Sequence, residues 1–200
     1  MSLLAAPLPP GLIYLDDWLS ADEHDSVVAE IDSKIFETSL IRRVQHYGAR
    51  YEYGSAEIAE RGSAPSIPPV MAFIGERLVT QGFFDKPPEQ VIVNEYLSGQ
   101  GIAPHVDRDS FGPAVAIISL IESWPMTFKY LESGDEFELF LEVKSLAVMT
   151  KQSRFDWSHE IKKRKFDDRG GLKIRRGRRL SLTYRTINEV LDPLICSKVL

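Results

Sequence analysis

One cysteine in 200 residues, Cys196, leaves the chain without an internal disulfide. That usage suits a reducing cytosol, and Cys196 reads as an incidental thiol rather than a nucleophile or ligand. Long apolar runs are missing as well, so no segment is read as spanning a bilayer. The opening MSLLAAPLPPGLIYL is apolar but short, lacks a basic segment and is broken by prolines, so it is not read as a signal peptide. There is no internal repeat, low-complexity tract or clear linker. One domain over residues 1–200 is expected, cytoplasmic and monomeric. Histidine is scarce, with four copies, and neither an HExxH helix nor a cysteine ligand pair is present. The usual signatures of zinc hydrolases are therefore absent.

What is present is ordinary in bulk: 44% hydrophobic and 26% charged residues, enough for one sizeable core. GLIYL suggests a strand. Ser20 with Glu23 three residues on forms a capping-box pattern ahead of Val27, Val28 and Ile31, which predicts a helix, with His24 exposed in its first turn. RRVQHYGARYEYGS, with its Gly turns, suggests a hairpin or irregular loop. PSIPPVMAFIGERLVTQGFF suggests a second helix, started by prolines and closed near Gly82. After Pro87 the texture changes to short β-rich runs: QVIVNEYL, AVAIISLI, MTFKYLE, EFELFLEV, SLAVMT and RRLSLTYRTI. Helices followed by antiparallel strands predict an α+β, mainly β fold: a jelly roll buttressed on one side by the N-terminal helices.

The net charge of -5 argues against a strongly basic nucleic-acid binder. Its distribution argues differently. Residues 162–179 carry ten Lys/Arg and two Asp, a local +8 that leaves -13 on the rest of the chain. That asymmetry suggests either an anion-binding surface or a solvated charged loop.

The stretch NEYLSGQGIAPHVDRD carries the chemistry. On an extended segment His105 and Asp107 point to the same side. Of the other histidines, His159 in SRFDWSHEI, after the strand SLAVMT, is the natural third partner. Two imidazoles and a carboxylate on one side of an ion suit non-haem Fe(II) handling O2. In RRLSLTYR, the residues Arg179, Ser181, Thr183 and Arg185 alternate with Leu180, Leu182 and Tyr184. As a strand this puts both arginines on one face. If that face is buried, the two permanent cations need anions, and a small dicarboxylate satisfies both. The alternative is an exposed basic strand.

Taken jointly, the order Asn94-x-Tyr96, Gly-rich turn, His105-x-Asp107, His159, Arg179-x5-Arg185 resembles the AlkB-type Fe(II)/2-oxoglutarate dioxygenases, over roughly Tyr14 to Ile187. The resemblance implies a double-stranded β-helix core. It implies that His105, Asp107 and His159 hold Fe(II), and that Asn94, Tyr96, Arg179 and Arg185 hold 2-oxoglutarate. Arg179 would take the distal carboxylate and Arg185 would lie near the carboxylate beside the metal. Ser119 and Ser181 are placed in the same pocket. With O2 as co-reactant, the implied reaction yields succinate and CO2 and hydroxylates a substrate C–H. An N-methyl substrate would then lose formaldehyde.

HYGARYEYG, SLAVMTKQSRFDWSHEI and KKRKFDD resemble most the dioxygenase domain of the tRNA wobble-uridine hydroxylases. The chain departs from that subgroup: it has no room for an RNA-recognition domain before the core or a methyltransferase domain after it. Asp109 replaces a non-acidic residue, as in the base-repair enzymes. The resemblance implies a modified nucleic acid as substrate, RNA or tRNA ahead of DNA, with the base single-stranded or flipped out. Tyr47, Tyr51, Asp109 and Trp157 are the candidate substrate contacts, with Tyr53 and His46 in the same lid segment. Arg42, Arg43, Arg50 and the basic run would meet phosphates. Two other readings stand beside this one. One is a protein side-chain hydroxylase or demethylase of the same family, which the acidic body favours. The other is an inactive jelly-roll binding module.

Overall fold

The structure, a computed structural model, describes residues 7–188 apart from 52–57 and 62–63; at residues 50, 51 and 58–61 only the backbone is described. In chain order the first half holds β1 (Leu12–Leu15), α1 (Ala21–Asp32), β2 (Arg43–Tyr51), β3 (Ile58–Arg61), α2 (Pro69–Thr80) and β4 (Gln90–Tyr96). Then come β5 (Ile102–His105), β6 (Phe111–Leu120), β7 (Trp124–Tyr130), β8 (Glu136–Leu141) and β9 (Leu146–Thr150). The last stretch holds α3 (Lys151–Phe155), β10 (Trp157–Ile161), β11 (Phe166–Arg169), β12 (Leu172–Arg175) and β13 (Arg179–Ile187).

The larger sheet runs β1-β9-β6-β13-β4-β2-β3 and the smaller β5-β10-β7-β8, while β11 and β12 form a separate ribbon. All neighbouring strands pair antiparallel. Period-two alternation then decides the layers. Leu180, Leu182 and Tyr184 of β13 join Val91 and Val93 of β4 in one core with Val27 and Ile31 of α1 and Met71, Ile74 and Leu78 of α2. From the opposite face of the same sheet, Val115, Ile117, Ala147 and Met149 pack on Trp124, Met126, Phe128, Leu141 and Ile161 of the smaller sheet. Two sheets face each other, and helices cover the outside of the larger one. This is the jelly roll with N-terminal buttresses that the sequence predicts.

The helices start for the expected reasons. Ser20 Oγ accepts from the Glu23 amide at 3.2 Å, and Glu23 Oε2 accepts from the Ser20 amide at 2.8 Å, closing the capping box. The same Glu23 receives Arg77 Nη1 at 2.8 Å, tying α1 to α2. α2 opens with Pro69 at its first position and ends before Gly82, whose φ is +77°.

Two expectations are corrected. The segment from Arg43 is not an irregular loop and does not turn at Gly48: it is a nine-residue strand, the first arm of a hairpin with β3, held on its other side by β4. Two of its polar residues are buried and bonded: Gln45 Nε2 donates to Ile31 O at 2.9 Å, and Tyr47 OH donates to Gln45 Oε1 at 3.0 Å. Gly48 looks like a turn residue, yet it sits inside the strand at φ +78°, where a Cβ would lie 2.1 Å from Glu89 O. His24 is not fully exposed either; its Nε2 accepts from the Ile121 amide at 3.2 Å. Tyr53 and Cys196 lie outside the described residues, as do the side chains of Arg50 and Tyr51. Among the described residues no helix is long and apolar enough to cross a membrane.

Candidate active site

A cavity of about 440 Å³ opens between the sheets. Its first wall is β5. The turn before that strand needs glycine for two separate reasons. Gly99 adopts φ +86°, and a Cβ on Gly101 would sit 2.1 Å from Ile161 O, so the turn could not close against β10. Closing it places His105 directly opposite His159 in the β5–β10 register, with their rings 4.3 Å apart between centroids. Asp107 lies two residues beyond His105, just past the strand end. Ligand atoms of His105, Asp107 and His159 all fall within 4.8 Å of one another, and Asp107 and His159 are buried.

The donor set fits a metal. His105 Nδ1 donates to Ala103 O at 2.9 Å, which fixes the tautomer and leaves Nε2 with its lone pair. Asp107 Oδ2 is buried without a hydrogen-bond partner, 3.7 Å from His159 Nε2. Burial pushes the imidazole of His159 down to about 3, and His105 adds to this, so His159 is neutral at pH 7. Burial alone would raise the carboxyl of Asp107. Arg185, the two imidazoles and Arg154 outweigh it and hold Asp107 at about 2, fully ionised. The neutral imidazole of His159 and the ionised carboxylate of Asp107 are in the protonation states that metal ligation requires.

The second wall is the larger sheet. Asn94 and Tyr96 of β4 and Arg179, Ser181, Thr183 and Arg185 of β13 line the cavity. The β13–β4 register pairs Arg179 with Tyr96 and Ser181 with Asn94, so these four share one face. Ser119 stands behind Arg179 and accepts its Nη2 at 2.8 Å. The two arginines have different partners. Arg185 is bonded to Asp107 Oδ1 and to Gln90 Oε1, the latter at 3.1 Å, so a protein carboxylate already matches its charge. Arg179 is 1% exposed, its Nε has no hydrogen-bond partner, and among the described residues no carboxylate pairs with it. Burial lowers it to about 10, still charged at neutral pH. A sealed guanidinium without a counter-ion fits an anionic ligand entering from the cavity.

Other candidates land elsewhere. Tyr47 is buried in the helix-side core, on the sheet face opposite the cavity, because it shares register with Val91. Trp157 packs against Tyr130, with centroids 5.3 Å apart, and does not line the cavity. Asp109 is exposed and does not line the cavity, and its carbonyl accepts from Asn188 at 2.6 Å. His46 is buried, with Nδ1 3.3 Å from Glu37 Oε1, outside the cavity wall. Arg42 does reach the cavity and donates from Nε to Asn94 Oδ1 at 2.9 Å, whereas Arg43 pairs with Glu95.

One residue was missed altogether. Arg154 of α3 is 1% exposed and donates to the carbonyls of Asp107 and Arg108, both at 2.7 Å. It clamps the segment that presents the carboxylate. Side-chain bonds to main-chain carbonyls leave no residue pattern, so only its position five residues before His159 hinted at it.

Residues 11–185 match the model of the 2OG-Fe(II) oxygenase superfamily. The chain is similar to the tRNA (carboxymethyluridine(34)-5-O)-methyltransferase ALKBH8 of Mus musculus, 32% identical over 95% of this chain and 32% of that protein. It is also similar to the Alkylated DNA repair protein ALKBH8 homolog of Arabidopsis thaliana, 30% identical over 90% of this chain and 59% of that protein. The chain spans about a third of the length of the first of these. Among solved structures, that of OsALKBH1 superposes with a TM-score of 0.68 at 19% identity, covering 90% of this chain and all of that one. That likeness shows a shared fold.

Two outcomes follow from this geometry. The metal-free protein should lose stability as pH falls from about 6.5 towards 3. Over that window the unfolded chain protonates residue 159 and the folded one does not, a slope of up to about 1.4 kcal/mol per pH unit. Denaturant titrations at several pH values measure it, and His159→Gln should flatten the slope. Arg154→Met should weaken Fe(II) or Mn(II) binding roughly 10–100-fold, as loss of a ligand-orienting partner does. Calorimetric titration of the folded variant reads this directly, and unchanged affinity would deny the clamp its role.

Proposed function

The chain belongs to the 2OG-Fe(II) oxygenase superfamily and is of AlkB type within it, a dioxygenase using Fe(II), 2-oxoglutarate and O2, and from that premise we propose that it oxidises modified bases of nucleic acid, RNA ahead of DNA, by hydroxylation or oxidative demethylation. The observation that carries the substrate class is the similarity over 95% of the chain to a protein named for its action on tRNA. That name describes methyl transfer by a protein about three times as long. What we carry over is the nucleic-acid partner, not the reaction.

Bound iron and 2-oxoglutarate supply the oxidising chemistry, in which O2 converts the oxoacid to succinate and CO2 and a substrate C–H gains a hydroxyl. The residues here supply the rest. His105, Asp107 and His159 would hold the metal, two imidazoles and a carboxylate being a ligand set suited to Fe(II). Arg179, backed by Ser119, takes the distal carboxylate of 2-oxoglutarate at the end of the cavity lined by Tyr96. Asn94 and Ser181 add hydrogen bonds along the same wall. Arg42 accounts for the Oδ1 of Asn94, which leaves the Asn94 amide N–H groups to donate inward. Arg185 neutralises Asp107 and keeps it ionised. Ile92, Phe111, Ile117 and Met126 give the cavity apolar walls that exclude water from the reacting centre.

The clustered His105, Asp107 and His159 and the inward guanidiniums leave an inactive binding module without support. The acidic remainder of the chain is what favours a protein substrate as the second reading.

Replacing Arg179 by Met should remove an uncompensated buried charge. The ligand-free protein should then melt at or above the wild-type temperature, while 2-oxoglutarate ceases to raise it. In the wild type, a hundredfold excess over Kd should add about 2.7 kcal/mol. A variant that 2-oxoglutarate still stabilises would remove Arg179 from the site. For the substrate, mass spectrometry of nucleosides from total tRNA and from DNA, treated with active protein, Fe(II), ascorbate and 2-oxoglutarate, should show one modified nucleoside depleted or hydroxylated. No change in either pool would move the reading to protein side chains.

A further inference from the structure

The basic run between Lys162 and Arg179 divides in two in the folded chain. Lys162, Arg164, Arg169, Arg176 and Arg178 are each paired with an acidic side chain: Glu136, Glu138 or Asp167, Glu142, Asp167, and Asp32 or Glu95. Lys163, Lys165, Lys173 and Arg175 are exposed and have no acidic partner among the described residues. The β11–β12 register explains part of the split. Asp167 pairs with Ile174 and Arg169 with Leu172; Asp167 is buried against Arg176, while Leu172 and Ile174 stay 70% and 44% exposed. Phe166 pairs with Arg175 and Asp168 with Lys173, and these four, all exposed, share the other face. Asp168 is committed to the turn, its Oδ1 accepting from the Gly171 amide at 2.9 Å. What remains outward is Phe166, 42% exposed, with Lys173 Nζ 4.8 Å from its ring centroid and Arg175 beside it.

This face is continuous with the mouth of the cavity. The Gly99 amide donates to Arg164 O at 3.2 Å, and a Cβ on Gly99 would lie 3.6 Å from Lys165 Cγ. From the next residue, Gln100 Nε2 donates to Ile41 O at 2.8 Å, and Arg42 already lines the cavity. Cations and an exposed aromatic ring therefore lead from the ribbon, past the Gly-rich turn, to the metal site. An aromatic platform among unpaired cations is the arrangement that holds single-stranded nucleic acid: phosphates meet the cations and a base stacks on the ring. On a body of charge -13 outside this run, a local positive track also orients a polyanion towards the cavity.

We infer that the outward face of the β11–β12 ribbon, with Lys165, Phe166, Lys173 and Arg175, is a docking surface for single-stranded nucleic acid that delivers a neighbouring nucleotide to the cavity. The inference rests on the nucleic-acid reading of the function. The test is fluorescence anisotropy of the whole chain with a labelled 15-nucleotide single-stranded RNA and its DNA counterpart, across a salt series. K165Q/K173Q/R175Q should bind at least about tenfold more weakly in 0.1 M salt. Its log–log salt slope should be shallower by about 2, since three phosphate contacts are lost at roughly 0.7 each. F166A should weaken binding about tenfold with the slope unchanged, and F166W should restore it. A 2-oxoglutarate thermal shift of wild-type size certifies that each variant is folded. If the wild type binds in a salt-dependent way and the charge variant matches it, the docking surface lies elsewhere while the nucleic-acid reading stands. If the wild type binds neither oligonucleotide but binds poly-glutamate, both the surface and the substrate class are overturned.

Discussion

A guanidinium sealed from water, with no carboxylate among the described residues to answer it, is the constraint around which this molecule is arranged. Arg179 is buried on the inner face of the larger sheet, and a hydroxyl and an aromatic ring are its nearest company. Such a charge costs several kcal/mol to hold. A sequence folded for stability alone would replace it. Its persistence is intelligible when an anion is part of the finished structure, and the cavity beside it is where that anion enters. Arg185, six residues along the same strand, shows the contrast. Its charge is matched internally by Asp107, so it serves to set the state of a metal ligand.

The three ligands draw on different sources of rigidity. His105 and His159 are cross-strand partners, and their separation is fixed by a ladder. Asp107 lies beyond the strand end and needs other restraints: Arg185 on its carboxylate and Arg154 on its carbonyl. The extended-segment argument that His105 and Asp107 point the same way is therefore right in outcome and incomplete in cause. β5 stops at His105, and two long cationic side chains complete what the strand does not.

How far the sequence could be read depended on whether a signal was local. The capping box at Ser20, the proline start of α2 and the alternation in RRLSLTYR are local, and each becomes the element expected. β2 was obscured because its cues point the wrong way. Gln45 and His46 are polar and Gly48 suggests a turn, yet the strand is paired on both sides, with Gln45 bonded to the end of α1. Misjudging that segment carried Tyr47 to the wrong side, since a period of two gives adjacent residues opposite faces. Trp157 failed for a different reason: nearness to His159 in sequence says nothing of whether a ring fills a core or borders a cavity. β11 and β12 were hidden by charge, and half of that charge turns out to be spent on pairing with the body rather than offered to solvent.

The histidines that could hold the metal belong to the smaller sheet and the proposed anchor of the oxoacid to the larger. Nothing covalent joins the layers at that level; they meet through side chains across a gap. Under the proposed assignment, joint occupancy would stitch the layers together, the ion held from one and the far carboxylate from the other. The sandwich would then be most compliant in the interval between turnovers, when product leaves and new substrate enters.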